Sequence, residues 1–271
     1  MDLADRTVVV TGATDGIGRA VAERLAPRVG RLILHGPEPA SDVTALLASL
    51  GPSVAYLSAD FGELAAVARL GAEIRDAAPR VDVLVNNAGR PGSARRVVTA
   101  DGNEATLQVN YLSTVALTTL LADRVGRVLN IASATHLSAR LTLDDLDLAG
   151  GDYSPVTAYA RSKLAIVTYS RWLAGRTPSL SPSFEVASMH PGVISTRLLA
   201  GMFTITGDPP ALGAANVVHV AGLSGSVNGV YFDERRPADP NPLADDPRTQ
   251  AALVERTRTR LAAVGVDPDL T

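Results

Sequence analysis

The 271 residues are 46% hydrophobic and 20% charged with a formal net charge of −3, which excludes a disordered chain and offers no basic footprint for nucleic acid. There is no cysteine, so disulfides and thiolate metal sites are excluded. The opening MDLADRTVVV lacks a basic segment followed by an apolar one, and no apolar run reaches the roughly 18–20 residues of a membrane span; a soluble, cytoplasmic protein with no membrane partner is expected.

In chain order, TVVVT (Thr7–Thr11) is a near-continuous apolar run, as in a strand buried on both faces. A glycine-rich turn follows at residues 12–18, then an amphipathic helix at 19–28 and a second strand at 31–35 (RLILH). Residues 40–50 read as helix, 54–58 as strand, 64–77 as helix and 81–85 (VDVLV) as strand. A long helical stretch covers 103–122, a fifth strand 126–132, another long helix 156–173, and strands 184–189 and 229–232. A Pro/Asp-rich tail (235–248) wraps the surface before a final surface helix at 250–263. This alternation predicts one α/β domain over 1–271: a doubly wound, Rossmann-type parallel sheet of about seven strands with helices on both faces. Two polar or Gly/Pro-rich segments, 136–155 and 195–216, follow strand carboxyl ends, where open α/β sheets bind ligands; both are candidate substrate walls.

Between the first strand and first helix lies Thr11–Gly18, TGATDGIG. Gly12 permits a tight exit from the strand, Gly16 clears space for a pyrophosphate, and Gly18 lets the helix pack close to the sheet. The helix start, with Thr14, Asp15, Gly16 and Ile17, offers free N–H groups and a positive dipole end to phosphates. The spacing is G-x-x-x-G-x-G rather than G-x-G-x-x-G. At the end of the second strand an acid would bind a ribose 2′-hydroxyl and an arginine a 2′-phosphate. The sequence there reads His35-Gly36-Pro37. His35 would help to hold a phosphate, while Asp15 would repel one, so NAD and NADP both stay open. Asp60, with Phe61 beside it, follows the third strand and is placed to meet the adenine edge.

Tyr159 and Lys163 are four apart on one expected helix and share a face. A free tyrosine, with a pKa of about 10, is a poor base at neutral pH, and a nearby ammonium favours its phenolate. The phenol then donates a proton to a carbonyl oxygen or takes one from an alcohol. Lys163 is the single lysine beside 24 arginines, and an ammonium differs from a guanidinium in geometry and in its capacity to shift pKa. Ser133 follows the fifth strand, where its hydroxyl would hold the substrate oxygen beside Tyr159. Asn110, in the long helix before that strand, would anchor a water relaying protons to Lys163.

These motifs, with NNAG (86–89), YARSK (159–163) and PGVIST (191–196), stand in one order over nearly the whole chain, which resembles the classical-type short-chain dehydrogenase/reductase family. The resemblance implies a catalytic tetrad of Asn110, Ser133, Tyr159 and Lys163, the last two also facing the cofactor. It implies that Asn87, Ala88 and Gly89 line the cofactor, and that Pro191, Val193 (through its backbone) and Thr196 wrap the nicotinamide. DGNEATLQVNYL, NIASATH, HPGVISTRLL and GVYFD are similar to the retinol dehydrogenase and protochlorophyllide reductase-like branch. The implied activity is NAD(P)-dependent hydride transfer between the nicotinamide and a carbonyl/alcohol carbon of a small apolar substrate. A homodimer or homotetramer through the two long helices is implied as well. A non-catalytic dinucleotide sensor on the same fold is the alternative. His136, His190 and His219 have no metal-ligand spacing, and Asp144, Asp145 and Asp147 lack the pattern of a calcium loop, so no metal is expected. Tyr169 and Trp172 are expected to bury against a neighbouring helix or subunit.

Overall fold

Three consecutive valines set the middle of the sheet. In β1 (Thr7–Thr11) Val8 and Val10 pack on one face and Val9 on the other, all three buried. The computed structural model describes residues 2–151, 153–180 and 182–270. Met1 and Thr271, the ends of the expected domain, and Asp152 in the 136–155 segment lie outside the described residues.

β1 is flanked by β2 (Arg31–Gly36), β3 (Val54–Ser58), β4 (Val81–Asn86), β5 (Val125–Ile131), β6 (Glu185–His190), β7 (Tyr231–Asp233) and β8 (Arg236–Ala238) in one sheet of order β3-β2-β1-β4-β5-β6-β7-β8. All neighbours pair in parallel except β7 and β8. The chain leaves β3 and re-enters on the other side of β1, so strand order reverses between β1 and β4, and a crevice opens there at the carboxyl ends. Helices α1 (Gly16–Leu25), α2 (Thr44–Leu50) and α8 (Pro210–Ala221) cover the face of Val8 and Val10. Helices α3 (Leu64–Ala77), α5 (Ser113–Leu120) and α6 (Pro155–Ala174) cover the face of Val9.

Among the described residues the sheet has eight strands where about seven were expected. β8 is exposed, three residues long and contains Pro237, so it carries neither alternation nor β-branched residues; an edge position tolerates such a strand. The stretch 103–122 is not one α-helix. It opens with α4 (Ala105–Leu107), capped by the Glu104 carboxylate accepting from the Thr106 and Leu107 N–H groups at 2.9 and 2.7 Å. A π turn follows over Gln108–Leu112, then α5.

The final helix, α9 (Pro247–Leu261), is more than a surface helix. Its Leu253 and Leu261 are fully buried, and its Thr257 hydroxyl lies 2.7 Å from that of Tyr111. α9 packs on α6, whose residues 158–170 are all buried within this one chain. Of the two long helices expected to meet a second subunit, α6 packs against the chain's own α9. The stacked Tyr169 and Trp172 rings are buried inside the chain, with Arg176 over Trp172. The 136–155 segment is tied to α9 by the Asp144–Arg256 and Asp147–Arg260 ion pairs. Among the described residues no helix is long and apolar enough to cross a membrane.

Candidate active site

The glycine turn is shaped by close approach. Gly12 has φ +63°, and a Cβ on it would sit 2.7 Å from the Ala88 Cα; one on Gly18 would sit 2.0 Å from the Gly12 carbonyl oxygen. Asn87 locks the turn to the end of β4: its amide donates to the Thr11 and Gly12 carbonyls at 2.9 and 3.0 Å. α1 begins at Gly16 with no side-chain cap from Asp15, leaving first-turn N–H groups free. These groups face a cleft of about 770 Å³ at the carboxyl edge of the sheet.

Gly12, Thr14, Asp15, Gly16, Ile17, Gly18, His35, Asp60 and Phe61 line one end of the cleft. His35 does not hold a phosphate there. Its Nε2 lies 2.9 Å from the Ala59 carbonyl, its Nδ1 accepts the Gly12 N–H at 3.4 Å, and its ring stacks on Phe61 at 4.3 Å. Burial holds its pKa down at about 4, so it is a neutral pin for the glycine turn. Asp60 accepts the Gly62 N–H at 2.7 Å with one oxygen and is exposed. Asp15 is ion-paired with Arg197 at 2.6 Å, which holds its carboxyl below the usual range.

At the other end the cleft is lined by Ser133, Tyr159, Lys163, Ala88, Gly89, Pro191, Val193 and Thr196. Tyr159 is 6% exposed. Burial pushes its phenol up to about 12, with the adjacent Ser133 hydroxyl pulling the other way. Lys163 donates to the Ile131 carbonyl at 2.8 Å, and its Nζ lies 5.6 Å from the Tyr159 ring centre. Burial pushes its ammonium down to about 8. Burial of the phenol thus dominates, and the expected lowering by Lys163 does not appear. The Val193 carbonyl is taken by the Asp208 N–H at 2.8 Å, and the Thr196 hydroxyl caps α7 (Arg197–Ala200), accepting from Leu199 at 3.2 Å.

Asn110 does not line the cleft. From the π turn its Oδ1 accepts the Arg90 N–H at 2.8 Å, while its Nδ2 donates to the Arg90 carbonyl at 3.1 Å and to the Ser162 hydroxyl at 2.9 Å. Its side chain is spent on holding the loop after β4. Of the two expected substrate walls, 195–216 contributes Thr196, Arg197, Leu198, Leu199, Met202, Phe203 and Ile205, while its later part forms α8. No described residue of 136–155 lines the cleft; instead Tyr153 donates to the Ser93 carbonyl at 3.1 Å and buttresses the loop that does.

Glu38, Arg90, Pro91 and His190 line the cleft without having been read from the sequence. Glu38 stands just beyond His35-Gly36-Pro37, and a search carried past the proline would have met it.

Residues 6–144 match the family described as short chain dehydrogenase. The chain belongs to the short-chain dehydrogenase family. It is 37% identical over 258 residues, covering 90% of this chain and 88% of the relative, to a Streptomyces sp. (strain C5) protein named provisionally as a daunorubicin C-13 ketoreductase. It is 32% identical to human retinol dehydrogenase 13, covering 89% of this chain and 80% of that one, in the branch expected from the motifs. Among solved structures, an uncharacterised protein from Mycobacterium paratuberculosis matches with TM-score 0.83 and 28% identity over 96% of this chain and 95% of that one. The Pseudomonas aeruginosa RhlG/NADP complex matches with TM-score 0.68 and 25% identity over 86% and 95%. As a short-chain dehydrogenase the protein is an NAD(P)-dependent oxidoreductase acting on CH–OH and C=O groups of small molecules. Its residues fit the dinucleotide: Gly12, Gly16 and Gly18 line the cleft beside the uncapped start of α1, and Glu38 lines it too, with one carboxylate oxygen that has no hydrogen-bond partner.

Proposed function

We propose that this short-chain dehydrogenase interconverts a small apolar carbonyl compound and its alcohol with Tyr159 as proton donor and acceptor, and that it prefers NAD to NADP. The convergence of Tyr159, Ser133 and Lys163 at one end of a cleft whose other end is the glycine turn carries the reading. When bound, the cofactor would supply or take up the hydride. Ser133 orients the substrate oxygen. Tyr159, protonated at neutral pH, gives its proton to that oxygen during reduction. The Lys163 ammonium, oriented by the Ile131 carbonyl, stabilises the phenolate left behind and faces the ribose. The Val193 N–H is available to the carboxamide. Asn110 acts as a positioning residue; a water relay toward Lys163 would use its backbone. Leu198, Leu199, Met202, Phe203 and the 55% exposed Ile205 support an apolar substrate.

Glu38 supports the NAD preference. Its unpartnered oxygen suits a ribose hydroxyl donor, and its charge, with those of Asp15 and Asp60, opposes a 2′-phosphate. Arg197, the basic side chain nearest Asp15, is already engaged by it.

Calorimetry with NAD⁺, NADH, NADP⁺ and NADPH, then turnover across a carbonyl panel, tests both parts. NADH is expected to bind at least about tenfold more tightly than NADPH, as one like-charge contact is worth at this scale, and Glu38→Gln to narrow the gap. Tyr159→Phe is expected to cost about 1,000-fold in kcat/KM, in the range of general acid catalysis, with NADH still bound. Tighter NADPH binding defeats the cofactor preference, and full turnover by Tyr159→Phe defeats the acid. Cofactor binding without turnover of any carbonyl is what the sensor alternative predicts.

A further inference from the structure

The charged side chains of the cleft are sorted by end. Among the described residues three carboxylates line it: Glu38 and Asp60 after the second and third strands, and Asp15, which is ion-paired with Arg197. At the nicotinamide side, past Gly89, stands Arg90. A Cβ on Gly89 would lie 3.5 Å from the Lys163 Nζ, so the Arg90 backbone is one Cα step, about 3.8 Å, from the catalytic end. Pro91, the next residue, approaches Gly201 on the opposite wall, its Cγ 3.5 Å from where a Cβ would stand. The Arg90 backbone therefore sits between Lys163 and the wall that contains Gly201.

The side chain is built in and, among the described residues, has no carboxylate partner. Both its backbone groups are held by Asn110, at 2.8 and 3.1 Å. Its Nη2 donates to the Ser93 hydroxyl at 2.8 Å, a neutral partner. Among the described residues no carboxylate lies within ion-pair distance of it, whereas Arg197, the other arginine lining the cleft, is spent on Asp15. A half-buried guanidinium is less well solvated than an exposed one and gains from an anionic partner that can take two parallel N–H donors. Among the described residues no carboxylate lies within ion-pair distance at this end, and a carboxylate on the substrate would supply the counter-charge.

We propose that Arg90 is a substrate anchor and that the substrate class is an apolar carbonyl or alcohol bearing a carboxylate. The carboxylate pairs with the Arg90 guanidinium while the carbonyl oxygen meets Ser133 and Tyr159. The inference rests on the oxidoreductase reading of the same cleft. It also gives the Asn110 side chain a purpose: it fixes the anchor's backbone relative to the acid.

The test is binding of matched pairs to the enzyme saturated with its preferred reduced cofactor, by calorimetry. The probes are 4-formylbenzoate against methyl 4-formylbenzoate, and 6-oxohexanoate against its methyl ester. In at least one pair the acid is expected to bind about tenfold or more tightly than the ester, as a charge-assisted hydrogen bond provides. That ratio shrinks as salt rises from about 0.05 to 0.5 M. Arg90→Met is expected to bring it close to one, and Arg90→Lys to restore part of it. A merely structural role for Arg90 would weaken acid and ester together and leave the ratio intact. A wild-type ratio near one for both pairs, or a ratio that survives Arg90→Met, overturns the proposal. If Arg90→Met does not fold, the wild-type ratio and its salt dependence decide alone. Binding needs no turnover, so a failed anchor and a failed catalytic reading are told apart.

Discussion

His35 accepts the Gly12 N–H at Nδ1 and faces the Ala59 carbonyl with Nε2, an arrangement that only the neutral ring satisfies. Burial keeps its folded pKa at about 4 against 6.5 for a free imidazole. As pH falls through 6.5 the unfolded chain takes up a proton that the folded one refuses until about 4, so stability declines over that window and is whole above it. A shift of this size corresponds to about 3 kcal/mol. His136 and His190, also lowered by burial, act in the same direction. The urea midpoint is expected to drop between pH 6.5 and 4, and to drop less in His35→Gln; an identical pH slope in that variant would remove His35 from this account. In the sequence, His35 read as a phosphate contact because its position at a strand end was visible and its orientation was not. Glu38 went unread for a related reason: it follows Pro37, two residues past the strand end where an acid was sought.

At the scale of the element, the π turn at Gln108–Leu112 is the local departure that matters. Such turns displace one residue from the regular helical track and recur at functional sites. Here Asn110 lies within the π turn and meets both backbone groups of Arg90 as well as Ser162. Asn110→Ala is expected to lower kcat/KM about 100-fold, the scale of an ångström-sized misplacement of reacting groups, with the acid-over-ester ratio falling along with it. Cofactor binding would change little, since the dinucleotide's glycine turn is held by Asn87 instead. A loss confined to stability, with kcat/KM unchanged, would count against this positioning role. Hydrophobic periodicity marked the helix containing Asn110 but not its π turn. The turn is selected by what its side chains bond across the fold, and a one-residue shift barely alters the apolar pattern of 103–122.

For the whole molecule, α9 decides which surfaces are free. Leu253 and Leu261 bury against the core on α6, and Arg256 and Arg260 clamp the 136–155 segment. Leu253→Asp is expected to cost about 3–5 kcal/mol, the scale of an uncompensated buried charge, and by loosening α9 to expose α6 and promote self-association. Urea unfolding and light scattering check this; an unchanged midpoint with unchanged mass would mean α9 is not the cover described. The sequence by itself determined the parallel α/β sheet, the glycine turn, and the presence of Ser133, Tyr159 and Lys163 in the right order. Each of these is written locally: short continuous apolar runs alternating with helical stretches, tight turns that need glycine, a pair one helical turn apart. Only the tertiary structure decided what those residues face. It turned His35 inward and Asn110 toward Arg90, moved 136–155 from cleft wall to buttress, and brought Glu38 and Arg90 to opposite ends of one cleft. Those outcomes depend on desolvation and on partners far away in the chain, which no local pattern encodes.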